Sequence, residues 1–244
     1  MLINQPKTID VWKSVDYVCG MYVLTIDQRG STGDRDRVPG LLAELHRKST
    51  AGRFERSVGD EVQGVVEKPA EVVDIALHCL RSGQWYVGIG VGAVDLPLPS
   101  SPREGSGAAF VAARLAVEKA KSAAAHVPLS VVPGGLRRGG AAPPEAGTGI
   151  RACANAEAVL RLIGRLVQDR TEAQWKVVDT LRALQQDASV RHGSQKLAAA
   201  KLGITEQSVS RAVLRSGWQE EWAARPAAEM LLAVAHDAVL EGNR

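Results

Sequence analysis

Residues 195–214, QKLAAAKLGITEQSVSRAVL, decide how the C-terminal part of the chain folds. A helix-turn-helix needs a small residue where its two helices cross, and Ala199 stands there. Four positions later it needs a residue that tolerates a left-handed backbone, and Gly203 supplies it. Leu202, Ile204, Val209 and Ala212 provide the apolar positions that pack one helix on the other, and Thr205 can cap the second helix through its hydroxyl. The pattern predicts helices over 194–202 and 205–215. The outward face of the second carries Glu206, Gln207, Ser210 and Arg211, short or forked polar groups able to reach base edges in a major groove. Lys196 and Arg215 fall where phosphate contacts are made. From Arg191 to Trp218, Arg191, Lys196, Lys201, Arg211 and Arg215 stand against the single acid Glu206, a local excess that suits double-stranded DNA. The competing reading is a helical hairpin used only for packing.

This segment resembles the helix-turn-helix of many bacterial transcriptional regulators. Amphipathic helices are predicted around it over 156–167 and 172–184, the latter capped by Thr171, and over 227–240, opened by Pro226. One helix-turn-helix reads only a few base pairs, and two copies on half-sites about 34 Å apart are the usual remedy, so a homodimer is expected. Met230, Leu231, Val234, Ala235 and Ala238 form the candidate seam, or else close the protomer's own core.

Upstream, residues 134–149, GGLRRGGAAPPEAGTG, have too few apolar anchors to form an element and read as a linker. The expected organisation is one domain over 1–133, a linker over 134–150 and an all-helical domain over 151–244. In the first domain, 21–27 (MYVLTID) is a strand and 38–49 a helix. Residues 53–58 and 62–67 flank a Gly59-Asp60-Glu61 turn as a hairpin, and 70–80 is a helix. Residues 85–94 (WYVGIGVGAV) form a strand that something approaches closely, because glycine alternates with apolar residues. An alanine-rich helix over 107–125 and a last strand over 128–132 follow. The β-α-β-β-α-β order predicts an α+β fold, a ferredoxin-like sheet with helices on one face.

Composition excludes several classes. The chain has 244 residues, 45% hydrophobic and 23% charged, which rules out a disordered chain or a collagen. No apolar run approaches the roughly 20 residues that span a bilayer, and the polar N-terminal 16 residues do not read as a signal peptide. Cys19, Cys79 and Cys153 are too far apart to suggest a zinc site or a disulfide framework. A cytoplasmic protein with no membrane partner is expected. No Walker-type phosphate loop, nucleophile elbow or hydrolase triad order is present.

In the first domain, Asp27 ends a strand and is followed by the small polar turn Gln28-Arg29-Gly30-Ser31-Thr32, while Asp60 sits in the hairpin turn. Adjacent strands would bring both carboxylates to one edge, suited to sharing a divalent ion that carries phosphates. Gly30 and Ser31 could receive phosphate oxygens on backbone N–H groups and the hydroxyl. Read without context, such aspartates are also common turn caps.

LTIDQRGST (24–32), RSVGDEVQGVV (56–66), GIGVGAV (88–94) and GAAFVAARL (107–115) together resemble the ordered motifs of class III nucleotidyl cyclase domains, and the GDE turn is similar to the hairpin of diguanylate cyclases. The whole chain, with its helix-turn-helix, resembles the SatD-like family. The resemblance implies a purine nucleotide held with Mg, Asp27 and Asp60 as metal ligands, Arg56 and Glu104 as the base-selecting pair, and Arg114 as the transition-state arginine. It departs from the family where the catalytic Asn stands, since Phe110 takes that place, four residues before Arg114. Phosphoryl transfer depends on positioning and charge neutralisation, so the loss favours a nucleotide sensor over an enzyme. The alternative is an active nucleotidyl cyclase or related nucleotidyltransferase with a DNA-targeting domain.

Overall fold

The computed structural model describes residues 19–30, 33, 35–48, 54–99, 101–122, 126–135, 146–186 and 193–242. Over these residues the chain is mixed α/β, with a five-stranded sheet and eight α-helices. The first part runs β1 (Cys19–Gln28), α1 (Val38–Lys48), β2 (Phe54–Arg56), β3 (Glu61–Val66), α2 (Pro69–Ser82), β4 (Trp85–Val94), α3 (Ala108–Ser122) and β5 (Leu129–Pro133). The second runs α4 (Ala146–Gln168), α5 (Glu172–Gln186), α6 (Ser194–Leu202), α7 (Glu206–Arg215) and α8 (Trp218–Glu241).

The sheet order is β2-β3-β1-β4-β5. β1 lies antiparallel between β3 and β4, β2 is antiparallel to β3, and β5 is parallel to β4. Alternation along β1 splits its side chains between two cores. Tyr22, Leu24 and Ile26 join a cluster with residues of α1, α2, α4 and α8. Met21 and Val23 join Val65, Val94, Ala109, Phe110 and Ala113 beneath α3. The expectation of helices on one face is therefore corrected: α3 covers the opposite face. The glycines of β4 explain how it lies there. A Cβ at Gly88 would stand 2.3 Å from the backbone nitrogen of Val117, and one at Gly90 2.1 Å from the carbonyl oxygen of Ala109. The close approach read from the glycine alternation is thus the approach of α3, whose buried positions are mostly alanines.

The 134–150 segment is shorter as a connection than its composition suggests, because α4 already begins at Ala146. Gly149 serves a helix contact there, since a Cβ on it would meet Val239 of α8 at 3.0 Å. One buried cluster runs across this segment: Ala156, Leu160 and Ile163 of α4, with Leu232, Ala235 and Val239 of α8, pack in the same core as the sheet and α2. α4 also guards the outer edge of β5. Glu157 accepts from the Ser130 hydroxyl and the Val131 N–H, both at 2.8 Å, and Arg161 Nε donates to the Leu129 carbonyl at 2.8 Å. Those bonds occupy backbone groups that an edge strand otherwise offers to another chain.

A second core belongs to α5, α6, α7 and the start of α8, built from Val177, Val178, Leu181, Ala198, Ala199, Val209, Val213 and Trp218. Trp175 packs against both cores. The last helix does not begin at Pro226, as predicted, but eight residues earlier, with Pro226 inside it. Pro226 cannot bond the carbonyl four residues back, that of Trp222, and both residues lie on the exposed side, where water can serve that oxygen. No described helix is long and apolar enough to cross a membrane.

Candidate functional site

Two places bring together residues with chemistry to offer. The first is the sheet edge at the end of β1. Asp27 pairs across the strands with Glu61, and the Gln28 N–H reaches the Asp60 carbonyl, so Asp27 and Asp60 share one edge with Glu61 beside them. Gly59, with φ of 59°, makes the hairpin turn that puts Asp60 there. From across the sheet, α3 presents Arg114, Glu118 and Lys121, spaced to lie on one helix stripe. Lys121 Nζ stands 2.8 Å from Asp27 and 3.0 Å from Glu118.

Burial raises the Asp27 carboxyl above its ordinary range, with the Lys121 hydrogen bond and charge opposing and the Asp60 charge adding. Burial likewise raises Glu61, against a hydrogen bond from Ser57 and the charge of Arg114. Lys121 is raised despite its own burial, because Asp27 and Glu118 favour its charged form. Lys121 and Glu61 were not singled out in the sequence. Lys121 lies two helical turns beyond Arg114, and only the α3 packing imposed by Gly88 and Gly90 shows where it reaches.

The fit of this edge to a resident divalent ion is poor. Asp27 already has an ammonium partner, and no group of three or more His, Cys, Asp or Glu side chains is placed to hold a metal among the described residues. Gly30 has φ of 66° in the exposed turn after β1, while Ser31 lies outside the described residues. Arg56 and Glu104 do not pair with each other. Arg56 donates to the Gly59 carbonyl at 3.1 Å and pairs with Asp36, whereas Glu104 closes a short 3-10 turn, Pro102–Glu104. That turn is fastened from the other face of β2, by Ser101 donating to Glu55 at 2.6 Å. Phe110 is buried under the sheet, its ring filling the space that a side chain at Gly105 would need. It is a packing residue that fixes the loop before α3.

The second place is α7. Gly203 has φ of 66° and ends α6, with its N–H on the Ala200 carbonyl at 3.4 Å. Thr205 caps α7 by accepting from the Ser208 N–H at 3.1 Å. Ala199, Val209 and Val213 are buried, and Leu202 and Ala212 are partly buried. Ile204 departs from the predicted packing set: it is 40% exposed, and Ala198 and Val213 fill the interior instead. Glu206, Gln207, Ser210, Arg211 and Arg215 are all exposed along α7, and Lys196 is exposed on α6. Thr171 and Gln174 cap α5 reciprocally, at 3.3 and 2.8 Å.

The predicted seam on α8 divides. Ala235 is buried and Leu231 and Ala238 pack against the protomer's core, while Met230 and Val234 are 61% and 50% exposed. No protein-family model matches the chain, and no curated protein shows significant similarity to it.

Proposed function

We propose that this chain is a double-stranded DNA-binding transcriptional regulator that responds to a purine nucleotide. The observation that carries the reading is α7. Behind a left-handed glycine and a threonine cap, one face of this helix holds Val209 and Val213 in the core, and the other offers Glu206, Gln207, Ser210 and Arg211 to solvent. That arrangement is what a helix-turn-helix requires of a recognition helix, with Arg215 and Lys196 as phosphate contacts. Two copies reading two half-sites remain part of the proposal, with Met230 and Val234 as the reduced seam.

The sensor half rests on the sheet. Strand order β2-β3-β1-β4, with β1 antiparallel to both neighbours, agrees with a ferredoxin-like reading, to which α3 and β5 are additions. That strand order is the one the resemblance to nucleotidyl cyclase domains implies. Asp27, Asp60 and Arg114 share one edge, and Arg114 and Lys121 supply positive charge for a ligand's phosphates. The Mg that the resemblance implies belongs in this reading to the incoming nucleotide, since no group of three or more ligating side chains gathers at this edge among the described residues. With Phe110 in the core in place of the catalytic Asn, binding is favoured over turnover.

Selection of sequences by the full chain from a random pool of duplex DNA, with and without ATP or GTP and Mg, tests both halves. Enrichment of a motif whose recovery changes with nucleotide is expected. Recovery of no motif in either condition contradicts the DNA half. Formation of a cyclic product in the same mixtures would favour the alternative of an active nucleotidyl cyclase.

A further inference from the structure

Residues i, i+3, i+4 and i+7 share one stripe of a helix, and those are the offsets with which recognition helices reach successive base pairs. On α7 the set that starts at Gln207 continues through Ser210 and Arg211 to Leu214, so the stripe opposite buried Val209 and Val213 ends in a leucine. Leu214 is 72% exposed, more than any other large apolar side chain on a described helix. The Gln207, Ser210 and Arg211 side chains make no hydrogen bond or ion pair among the described residues, so the whole stripe is open to a partner.

On this stripe Leu214 has only polar or charged companions, so its natural complement is an isolated apolar group set among polar ones. The major groove offers that arrangement. Its floor is made of hydrogen-bonding groups except at thymine, whose C5-methyl group projects into the groove. Gln207 suits adenine there and Arg211 suits guanine, by the two hydrogen bonds that each can make to one purine. Along α7, Leu214 lies about 10 Å from Gln207, which is about three base-pair steps of the duplex.

We propose that Leu214 reads the C5-methyl group of a thymine, about three base pairs from the pair that Gln207 faces. Each half-site then contains a thymine recognised through its methyl group, and exchanging it for uracil removes that contact while leaving every hydrogen bond of the base pair intact. Reading by Leu214 rests on the proposed DNA-binding role of α7 and adds to it a residue outside the polar set. It does not involve the sheet edge or its ligand.

The test uses the motif that the full chain selects from random duplex DNA. Each thymine is replaced in turn by deoxyuridine, and fluorescence anisotropy gives the affinity for each duplex. For the wild type, one thymine position per half-site should lose about fourfold on losing its methyl group, the value of burying one such group. Leu214→Ser should bind the thymine and uracil duplexes equally and keep the wild-type melting midpoint, because the side chain is exposed. Arg211→Ala should retain the methyl effect. A motif in which no single methyl group matters, or a methyl effect that survives in Leu214→Ser, would overturn the inference and leave the DNA-binding role standing. Conversion of a wild-type dimer into a monomer by Leu214→Ser would also overturn it, since Leu214 would then serve a contact between copies. Recovery of no motif would overturn both.

Discussion

Replacing Glu221 by Gln removes the carboxylate that sits between two arginines at the junction of the two cores. Arg170 Nη2 stands 2.7 Å from one Glu221 oxygen, and Arg225 Nε and Nη2 stand 2.8 and 2.7 Å from the other. Side-chain exposure is 1% for Arg170 and 3% for Glu221, so water cannot replace the lost partner. Arg170 also donates to the Ser216 carbonyl at 2.7 Å, and Arg225 continues to Asp74 on α2. The network thus fastens the end of α4, the end of α7, α8 and α2 together. Breaking a buried pair from one side strands a charge and costs about 3–5 kcal/mol. For a chain of this size each kcal/mol moves the melting midpoint by about 2–4 °C, so Glu221→Gln should lower it by roughly 6–20 °C. Calorimetric melting, with denaturant unfolding as a second probe, reads this directly. In an Arg170→Met background the same change should cost less, because Arg170 is no longer stranded and Arg225 keeps Asp74. A loss below about 1 kcal/mol in the otherwise unchanged chain would refute the claim that the network holds the junction.

Gly90→Ala should destabilise by about 3 kcal/mol or more, since the new methyl meets backbone of α3 that cannot rotate aside, whereas Gly40→Ala, in open space on α1, should stabilise by about 0.5–1 kcal/mol; urea midpoints report both. Thr205→Ala should cost about 1 kcal/mol through the lost cap of α7, measured the same way. Folding raises the Asp27 carboxyl, so the native state holds that proton more tightly than the unfolded chain does. Its contribution to stability is then full below the ordinary carboxylate range and is lost as pH rises through the raised value. Asp27→Asn should remove that slope from a plot of stability against pH, and an unchanged slope would contradict it.

The local devices of this fold were legible because each rests on a few neighbouring residues. Gly203 and Thr205 announce a turn and a cap, Gly59-Asp60-Glu61 a hairpin, and the β4 glycines a close neighbour. What could not be read depends on distant partners. Nothing near Gly88 says that its neighbour is α3, and so nothing near Lys121 says that it meets Asp27, which lies 94 positions earlier. The cores of α4 and α8 could not be assigned from periodicity, since an amphipathic stripe shows that a face is covered and not what covers it. Pro226 was taken for a helix start because its cost inside a helix is large, and only the exposure of Trp222 shows where that cost is relieved.

The central claim, sequence reading by α7, is tested most directly by comparing Arg211→Ala with the wild type on two duplexes, the selected motif and an unrelated sequence of equal length. Fluorescence anisotropy over a range of salt gives affinity for both. The wild type should prefer the motif, its affinity should fall steeply with salt as counterions are released, and Arg211→Ala should lose about 1–3 kcal/mol on the motif with little change on the unrelated duplex. Equal losses on both duplexes, or no preference by the wild type, would contradict it.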